Sequence, residues 1–490
     1  MNIGAYLFAT PWRRFLTAAL ALTALRVVAL MLGDPNLGPD EAQYWFWSKA
    51  PAFGYYSKPP VVAWSIAATT ALFGDSEWAV RLSAPLYQLG AAIFLFLAAR
   101  RLADDRAAFW AGLSWLTMPG VFLSAALITT DAPLLFFWAL ALYSFLRATD
   151  DAEPRRVLWG AILGAAIGLG LLSKYAMLYF LPGAALALFA APERLRALKA
   201  LPAAVAALIA LALLAPNLAW NAANDFQTIA HTAANANWTQ SAGHPDKLVK
   251  FLGDQFGVAG PILLVLMIVA AAGALRGENR ARIGLLLAFS APALLIVSTQ
   301  AFISRAHANW AAVAYPSAVI AAAIVAGRLA RGDLALKSSL ALHAAAGAGF
   351  LLAFMSFPLA DAIGASGPFK RLRGWDAQGP EIARLGEGFD AILADDREVM
   401  SGLLFYARPG PPVVAWDSNG RIDSHYEAFK AFDPARGERF LFVTADPNAR
   451  TLNNAFQSVT PLGASVAQLT PTRTRTLYLF DISGRRAGDG

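Results

Sequence analysis

Several short stretches of the chain gather acids, cations and aromatic rings beside long apolar runs. The first reads Gly38-Pro39-Asp40-Glu41-Ala42-Gln43-Tyr44-Trp45-Phe46-Trp47 and continues with Gly54-Tyr55-Tyr56-Ser57-Lys58-Pro59-Pro60. Tyr44, Trp45 and Trp47 form a segment suited to a membrane–water boundary. Tyr55, Tyr56 and Lys58 add hydroxyls and a cation, and the proline pair adds a rigid turn. Acids, rings and a cation at such a boundary suit a substrate with a lipid tail and an anionic head. The alternative for Asp40 is a helix N-cap, where an acid satisfies orphan amides and complements the helix dipole.

Asp131 lies in Leu127-Ile128-Thr129-Thr130-Asp131-Ala132-Pro133 and fits either a substrate contact or an N-cap with proline early in the helix. Lys174, in Ser173-Lys174-Tyr175, and Arg305 fit either anion binding or snorkelling from a helix end. Arg305 and His307, in Ser304-Arg305-Ala306-His307-Ala308-Asn309-Trp310, are candidates for a phosphate, to which arginine makes charged, bidentate contacts. A further segment carries Asn217, Trp220, Asn221, Asn224, His231, Asn235, Asn237, Trp238 and His244. Such amides and rings suit sugar hydroxyls and ring faces, or simply a solvated amphipathic loop.

The elements that position these residues follow from composition. Of 490 residues 57% are hydrophobic and 15% charged, and the mean hydropathy is +0.48. A soluble domain carries about 25% charge, so lipid must solvate much of this chain. Eleven runs reach a length suited to a membrane helix, at roughly 14–32, 78–99, 107–124, 130–147, 157–173, 175–191, 200–216, 256–275, 282–300, 307–327 and 338–357. Basic residues alternate between the connections. Arg13, Arg14, Arg100, Arg101, Arg106, Arg147, Arg155, Arg156, Arg194, Arg196, Arg276, Arg280, Arg282, Arg328 and Arg331 fall on one side, which the positive-inside rule makes cytoplasmic. An odd number of spans then puts the C-terminus outside. The apolar run after Arg13 and Arg14 continues to about Leu32 without a small-residue cleavage site, so it reads as a retained helix rather than a signal peptide.

The net charge of +7 is accounted for by these loops, and no basic face or motif points to nucleic acid. With no cysteine there is no disulfide, thiolate metal site or cysteine nucleophile. The three longest connections, 33–77, 217–255 and the tail from 358, all fall outside, where function concentrates in long loops. In the tail, charges become frequent. Short β-like runs at 390–394, 413–416, 440–444 and 476–480 alternate with helical stretches at 376–388 and 424–432, which predicts a small α/β domain. The expected organisation is therefore a membrane domain over 1–357 and a soluble domain over 358–490. A transporter would place its polar groups near the bilayer midplane, whereas here Arg26 and a few Ser, Thr and Gln are nearly all that lies within the spans.

The first-loop motif, Thr129-Thr130-Asp131-Ala132-Pro133-Leu134 and Gly168-Leu169-Gly170-Leu171-Leu172-Ser173-Lys174-Tyr175 resemble the bacterial branch of the GT-C membrane glycosyltransferases. That branch is the protein-mannosyltransferase-like family containing the lipid A aminoarabinose transferases. The resemblance covers roughly residues 30–330. It implies a polytopic α-helical GT-C protein of about eleven spans in the bacterial inner membrane, with a periplasmic C-terminal α/β domain. It also implies inverting transfer of a sugar from a polyprenyl-phosphate carrier to a lipid, lipopolysaccharide or other envelope glycan.

On that resemblance Asp40, with Glu41 beside it, matches the catalytic acid of the first loop. Asp40 would be general base towards a hydroxyl acceptor, and would only position a phosphate acceptor, which is already anionic. Lys58, Arg305 and His307 would stabilise the leaving lipid phosphate, and Tyr44, Tyr55, Tyr56, Asp131 and Lys174 would contact substrate. The chain departs from the pattern where the aminoarabinose transferases carry a metal-binding acid, which here is Ser57. It departs again where they carry an arginine after Asp-Glu-Ala, which here is Gln43. No cofactor is assigned; a divalent metal is left open, with Lys58 as the point charge that would replace it. Protein O-glycosylation and flipping of a lipid-linked sugar are the alternative functions.

Overall fold

A computed structural model describes residues 10–236, 243–273, 280–417, 419–448 and 452–486. Asn237, Trp238 and Arg276 lie outside the described residues. The chain forms two compact units. One comprises residues 1–31, 58–62 and 81–351, and the other residues 32–57, 63–80 and 352–490.

The first unit is a helical membrane bundle. Among the described residues, eight helices are long and apolar enough to cross a bilayer, and ten if each of two bent pairs counts as one span. The shorter apolar segment Tyr175–Ala190 occupies the remaining expected position. The bends have local causes. Asp105–Thr117 and Pro119–Ala126 meet at 56° where Pro119 cannot continue the first helix's hydrogen bonds. Arg26, buried in the helix Pro11–Leu32, donates to the Leu116 carbonyl beside that break, and its guanidinium lies 4.5 Å from the centre of the Phe122 ring. The intramembrane cation thus satisfies a main-chain carbonyl beside the break. Pro245–Ala259 and Pro261–Gly273 meet at 111° around Gly260, whose φ of +79° suits a residue without a Cβ.

Close packing depends on small residues where two helices touch. A Cβ on Gly160 would fall 2.4 Å from the Pro202 carbonyl oxygen, and one on Gly164 would fall 2.3 Å from that of Ala206. The Gly-x-x-x-Gly spacing therefore brings the backbones of Arg156–Ser173 and Ala200–Ala223 together, the usual basis of helix association in lipid. Elsewhere aromatic rings fill the core: Phe15 stacks on Phe96 at 4.8 Å, and Phe180 packs 4.8 Å from Phe289.

In the second unit the tail forms a five-stranded sheet of β1 (Ala391–Ala394), β2 (Val413–Ala415), β3 (Arg439–Thr444), β4 (Phe456–Thr470) and β5 (Arg473–Arg485). Their order is β2-β1-β3-β5-β4. The first three strands are parallel, and β5 runs antiparallel to both β3 and β4. Leu393, Val414, Phe440, Phe442, Phe480 and Ile482 build its core. Four strands coincide with the expected β-like runs. β4 was hidden by Pro461 and Gly463, which sit at a register shift on an edge strand, where a missing donor is tolerated. The first loop belongs to this unit, with a ten-residue helix Pro39–Ser48 and most of an unforeseen apolar helix, Val61–Phe73.

Replacing Gly164 with Val should force the two helices apart. The expected outcome is a lower thermal midpoint for the detergent-purified protein, whereas Val at Gly253, which has open space around it, should leave the midpoint unchanged.

Candidate active site

The helix Pro39–Ser48 begins on Pro39, whose ring fixes the first helical φ. Gly38 occupies the N-cap position, so the N-cap expectation for Asp40 does not hold. Glu41 is buried, and its Oε2 accepts the Gly38 N–H at 3.0 Å. This is the return half of a capping box, with no cap side chain to supply the other half. The two acids thereby divide: Glu41 turns inward to hold the helix start, and Asp40 points out with 63% of its side chain exposed.

Asp40 is met by a residue that sequence reasoning missed. Arg397 Nη1 donates to Asp40 Oδ1 at 2.8 Å and to Gln43 Oε1 at 2.6 Å. Arg397 opens the helix Arg397–Tyr406, which Asp396 caps by accepting the Glu398 and Val399 amides at 2.7 and 3.0 Å. The helix holds its place through buried Val399, Met400, Leu403 and Phe405 and through Ser401, whose hydroxyl meets that of buried Tyr426 at 3.0 Å. Partial burial lowers the pKa of Arg397, but the Asp40 carboxylate outweighs it and the net shift is upward. In sequence, Asp395-Asp396-Arg397-Glu398 reads as a solvated charge run. Nothing in its spacing connects it with position 40. The one available hint was the missing arginine at Gln43, because a guanidinium reaches that position from the tail instead.

Further contacts fasten the first loop to the tail. Leu37 N–H donates to Tyr406 Oη at 2.6 Å, and Trp375 N–H donates to Asn36 Oδ1 at 2.8 Å. Asp75 accepts from Trp45 Nε1 at 2.8 Å, pairs with Lys49, and lies 3.4 Å from Arg408 Nη1. The Arg408 guanidinium sits 4.2 Å over the Trp45 ring.

Two expected substrate contacts are committed to this framework. Tyr55 is buried and stacked on Trp47 at 4.7 Å; its hydroxyl meets the Trp47 and Ala50 carbonyls at 3.1 and 3.2 Å and accepts the Ala52 N–H at 3.0 Å. Burial pushes its phenol up to about 12. Tyr55 is thus bonded and stacked into the loop's own framework. Tyr56 donates to the Ile422 carbonyl at 2.9 Å, and Tyr44 is buried with its ring 5.2 Å from that of Trp47.

In the membrane unit, Asp131 is the first residue of the helix Asp131–Ala148, so it too is not the N-cap. Its buried carboxylate accepts from Lys174 Nζ at 2.7 Å through Oδ1 and from Asn309 Nδ2 at 2.7 Å through Oδ2. Lys174 is therefore drawn to Asp131 rather than simply snorkelling, and Asn309 joins the group from the motif that carries Arg305 and His307. Arg305 and His307 are exposed, with the His307 ring 5.4 Å from that of Trp310. Lys58 is half-buried. Asn217 and Asn221 are buried and bonded to the Tyr175 hydroxyl at 3.0 and 3.4 Å, so they serve packing instead of a solvated sugar-binding loop. Among the described residues no three His, Asp or Glu side chains converge as metal ligands.

A family model described as dolichyl-phosphate-mannose-protein mannosyltransferase matches residues 57–220. The lipid A galacturonosyltransferase RgtD of Rhizobium johnstonii is 33% identical over 485 residues, spanning 96% of this chain and 98% of its own. The lipopolysaccharide core galacturonosyltransferase RgtA of the same organism is 30% identical over 213 residues, 42% of each chain. The crystal structure of ArnT from Cupriavidus metallidurans bound to undecaprenyl phosphate matches with a TM-score of 0.69 at 16% identity, covering 95% of this chain and 97% of its own. Bundle, first-loop acid and small sheet domain together define a membrane glycosyltransferase of the GT-C fold. The chain belongs to the family of that class represented by the lipid A galacturonosyltransferase of Rhizobium.

His425 gives this region a pH dependence. Its ring lies 5.3 Å from Trp47 and 4.7 Å from Phe429, and burial depresses its pKa from 6.5 to about 3. Unfolding exposes a group that takes up a proton, so stability is full above 6.5 and declines as pH falls below it. Hydrogen-exchange protection factors, which correct for the intrinsic pH dependence of amide exchange, should fall in the segment around 397–430 on acidification, and His425→Phe should flatten that dependence. An equally steep dependence in the variant would count against this assignment.

Proposed function

We propose that the protein transfers a galacturonosyl group from a polyprenyl-phosphate carrier to lipid A at the periplasmic face of the bacterial inner membrane, with inversion at the anomeric carbon. The exposed Asp40 carboxylate carries the reading: it is held at the start of a fixed helix in a chain similar along its whole length to a lipid A galacturonosyltransferase. Counting Tyr175–Ala190 as a span gives eleven crossings, which with the basic connections supports a cytoplasmic N-terminus and a periplasmic tail.

In this mechanism an acceptor hydroxyl oxygen attacks the anomeric carbon of the donor. The bond from that carbon to the phosphate oxygen breaks, and the lipid phosphate leaves with the electron pair. Asp40 takes the hydroxyl proton as the new bond forms. Negative charge grows on the departing phosphate, and charged or donor groups aimed at it lower the barrier; Lys58, Arg305 and His307 are assigned this role. Asp131, Lys174 and Asn309 form the polar group of the membrane unit that contacts donor, with Lys174 oriented by its carboxylate. Glu41 acts by positioning, because its carboxylate is occupied by the helix start.

Asp40→Asn should reduce transfer from polyprenyl-phosphate galacturonate to lipid A by at least about 100-fold, the scale of general-base loss, with expression and melting behaviour unchanged. Full transfer by that variant would exclude Asp40 as the base. Lys58→Ala should lower kcat more than it lowers the thermal midpoint, as expected for a contact that strengthens in the transition state.

A further inference from the structure

We propose that Arg397 is the specificity residue for the transferred sugar and that the unused edge of its guanidinium binds the C6 carboxylate of a uronosyl donor. The inference rests on the uronosyl reading above and adds to it a carboxylate subsite on the tail.

The way Arg397 is engaged distinguishes it from an ordinary ion pair. A single nitrogen, Nη1, serves both Asp40 and Gln43. Among the described residues Nε and Nη2 make no hydrogen bond, and 45% of the side chain is exposed. Arg439 of the same unit shows the alternative: it meets Asp481 with Nε at 3.1 Å and Nη2 at 2.6 Å, using the fork that matches a carboxylate. Arg397 is held end-on, with the equivalent fork vacant. Its backbone is fixed by the capped helix and by the buried Ser401 and Tyr426 hydroxyls, so the guanidinium is presented from a rigid base.

Helix stability does not explain an arginine at this position. Arg397 is the first residue of its helix, where the macrodipole favours an anion. A cation there opposes the local field, and its bond to Asp40 ties it to the reacting acid. Gln43 completes the arrangement. As a neutral acceptor it steers Nη1 without adding a second negative charge to that of Asp40, which leaves Nε and Nη2 as donors for a carboxylate.

An incoming uronosyl carboxylate would take Nε and Nη2 in the bidentate geometry that makes arginine selective for planar anions. A neutral hexose would strip water from those donors and return only a hydroxymethyl group. Sites built for a polar group reject analogues lacking it for this reason. Asp40 stays beside the guanidinium throughout, so one residue links recognition of the sugar to the acid assigned as base. The other anion present, the carrier phosphate, is assigned to the cations of the membrane unit. The two sources of negative charge are therefore separable by experiment.

Full-length protein in lipid nanodiscs would be assayed with undecaprenyl-phosphate galacturonate, undecaprenyl-phosphate galactose and lipid A, with undecaprenyl phosphate as inhibitor. For Arg397→Gln the expected result is a rise in KM for the uronosyl donor on the order of 10- to 100-fold, as for loss of a charge-assisted bidentate contact. Inhibition by undecaprenyl phosphate should be unchanged, and the ratio of kcat/KM for the uronosyl donor to that for the galactosyl donor should fall by a similar factor. Arg397→Lys, which keeps the charge but not the fork, should fall between. Equal losses with both donors, or weaker inhibition by undecaprenyl phosphate, would overturn the carboxylate assignment and leave Arg397 acting through Asp40 or the phosphate. An unaltered KM would overturn it as well. Wild-type protein that fails to use the uronosyl donor would refute the underlying reading instead, so the two failures are distinguishable.

Discussion

The feature on which the rest of this protein depends is the fastening of its first loop to its tail. Residues 34–49 carry the acid nominated for catalysis, yet a ten-residue helix is too short to hold its shape in water unaided. It is held because Trp45, Trp47, Tyr55 and Phe405 bury their rings together with Tyr406 and Tyr426. Exposed ion pairs contribute only about 0–1 kcal/mol each. The contacts of Asp75 and Arg397 therefore orient the loop more than they stabilise it. Burial supplies the affinity and the charges supply the register.

This division of labour explains the fate of two neighbouring acids. The same helix start that turns Glu41 inward to the Gly38 amide leaves Asp40 outside. A sequence shows Asp-Glu as a pair; only the helix phase separates the inward acid that holds the helix start from the outward one. Tyr55 and Tyr56 are a parallel case. Both hydroxyls looked available, and both donate to main-chain carbonyls, so much of the aromatic richness of this loop is spent on its own architecture.

The membrane bundle was legible in the sequence because apolar run length is nearly decisive in lipid, where every backbone polar group must be satisfied internally. The two sharp bends were not, since each depends on local detail: Pro119 with the reach of Arg26, and the left-handed backbone at Gly260. In the tail, alternating patterns disclosed four strands but not the edge strand interrupted by Pro461 and Gly463. The site was only half legible. Asp40, Asp131 and Lys174 stood out as charges beside apolar runs. Arg397 did not, because its meaning comes from a contact 357 residues away in sequence. The missing arginine at Gln43 and the guanidinium at Arg397 are one observation, visible as such only in three dimensions.

The central claim is that this chain places a uronosyl group on lipid A, and it is tested most directly on the product itself. Lipid A extracted from cells with the protein, and from otherwise identical cells lacking it, would be compared by mass spectrometry with fragmentation. The expected result is a species heavier by one hexuronosyl residue that is present only with the protein and absent with the Asp40→Asn variant. Identical lipid A in both extracts, or an added neutral hexose in place of the acid, would contradict it.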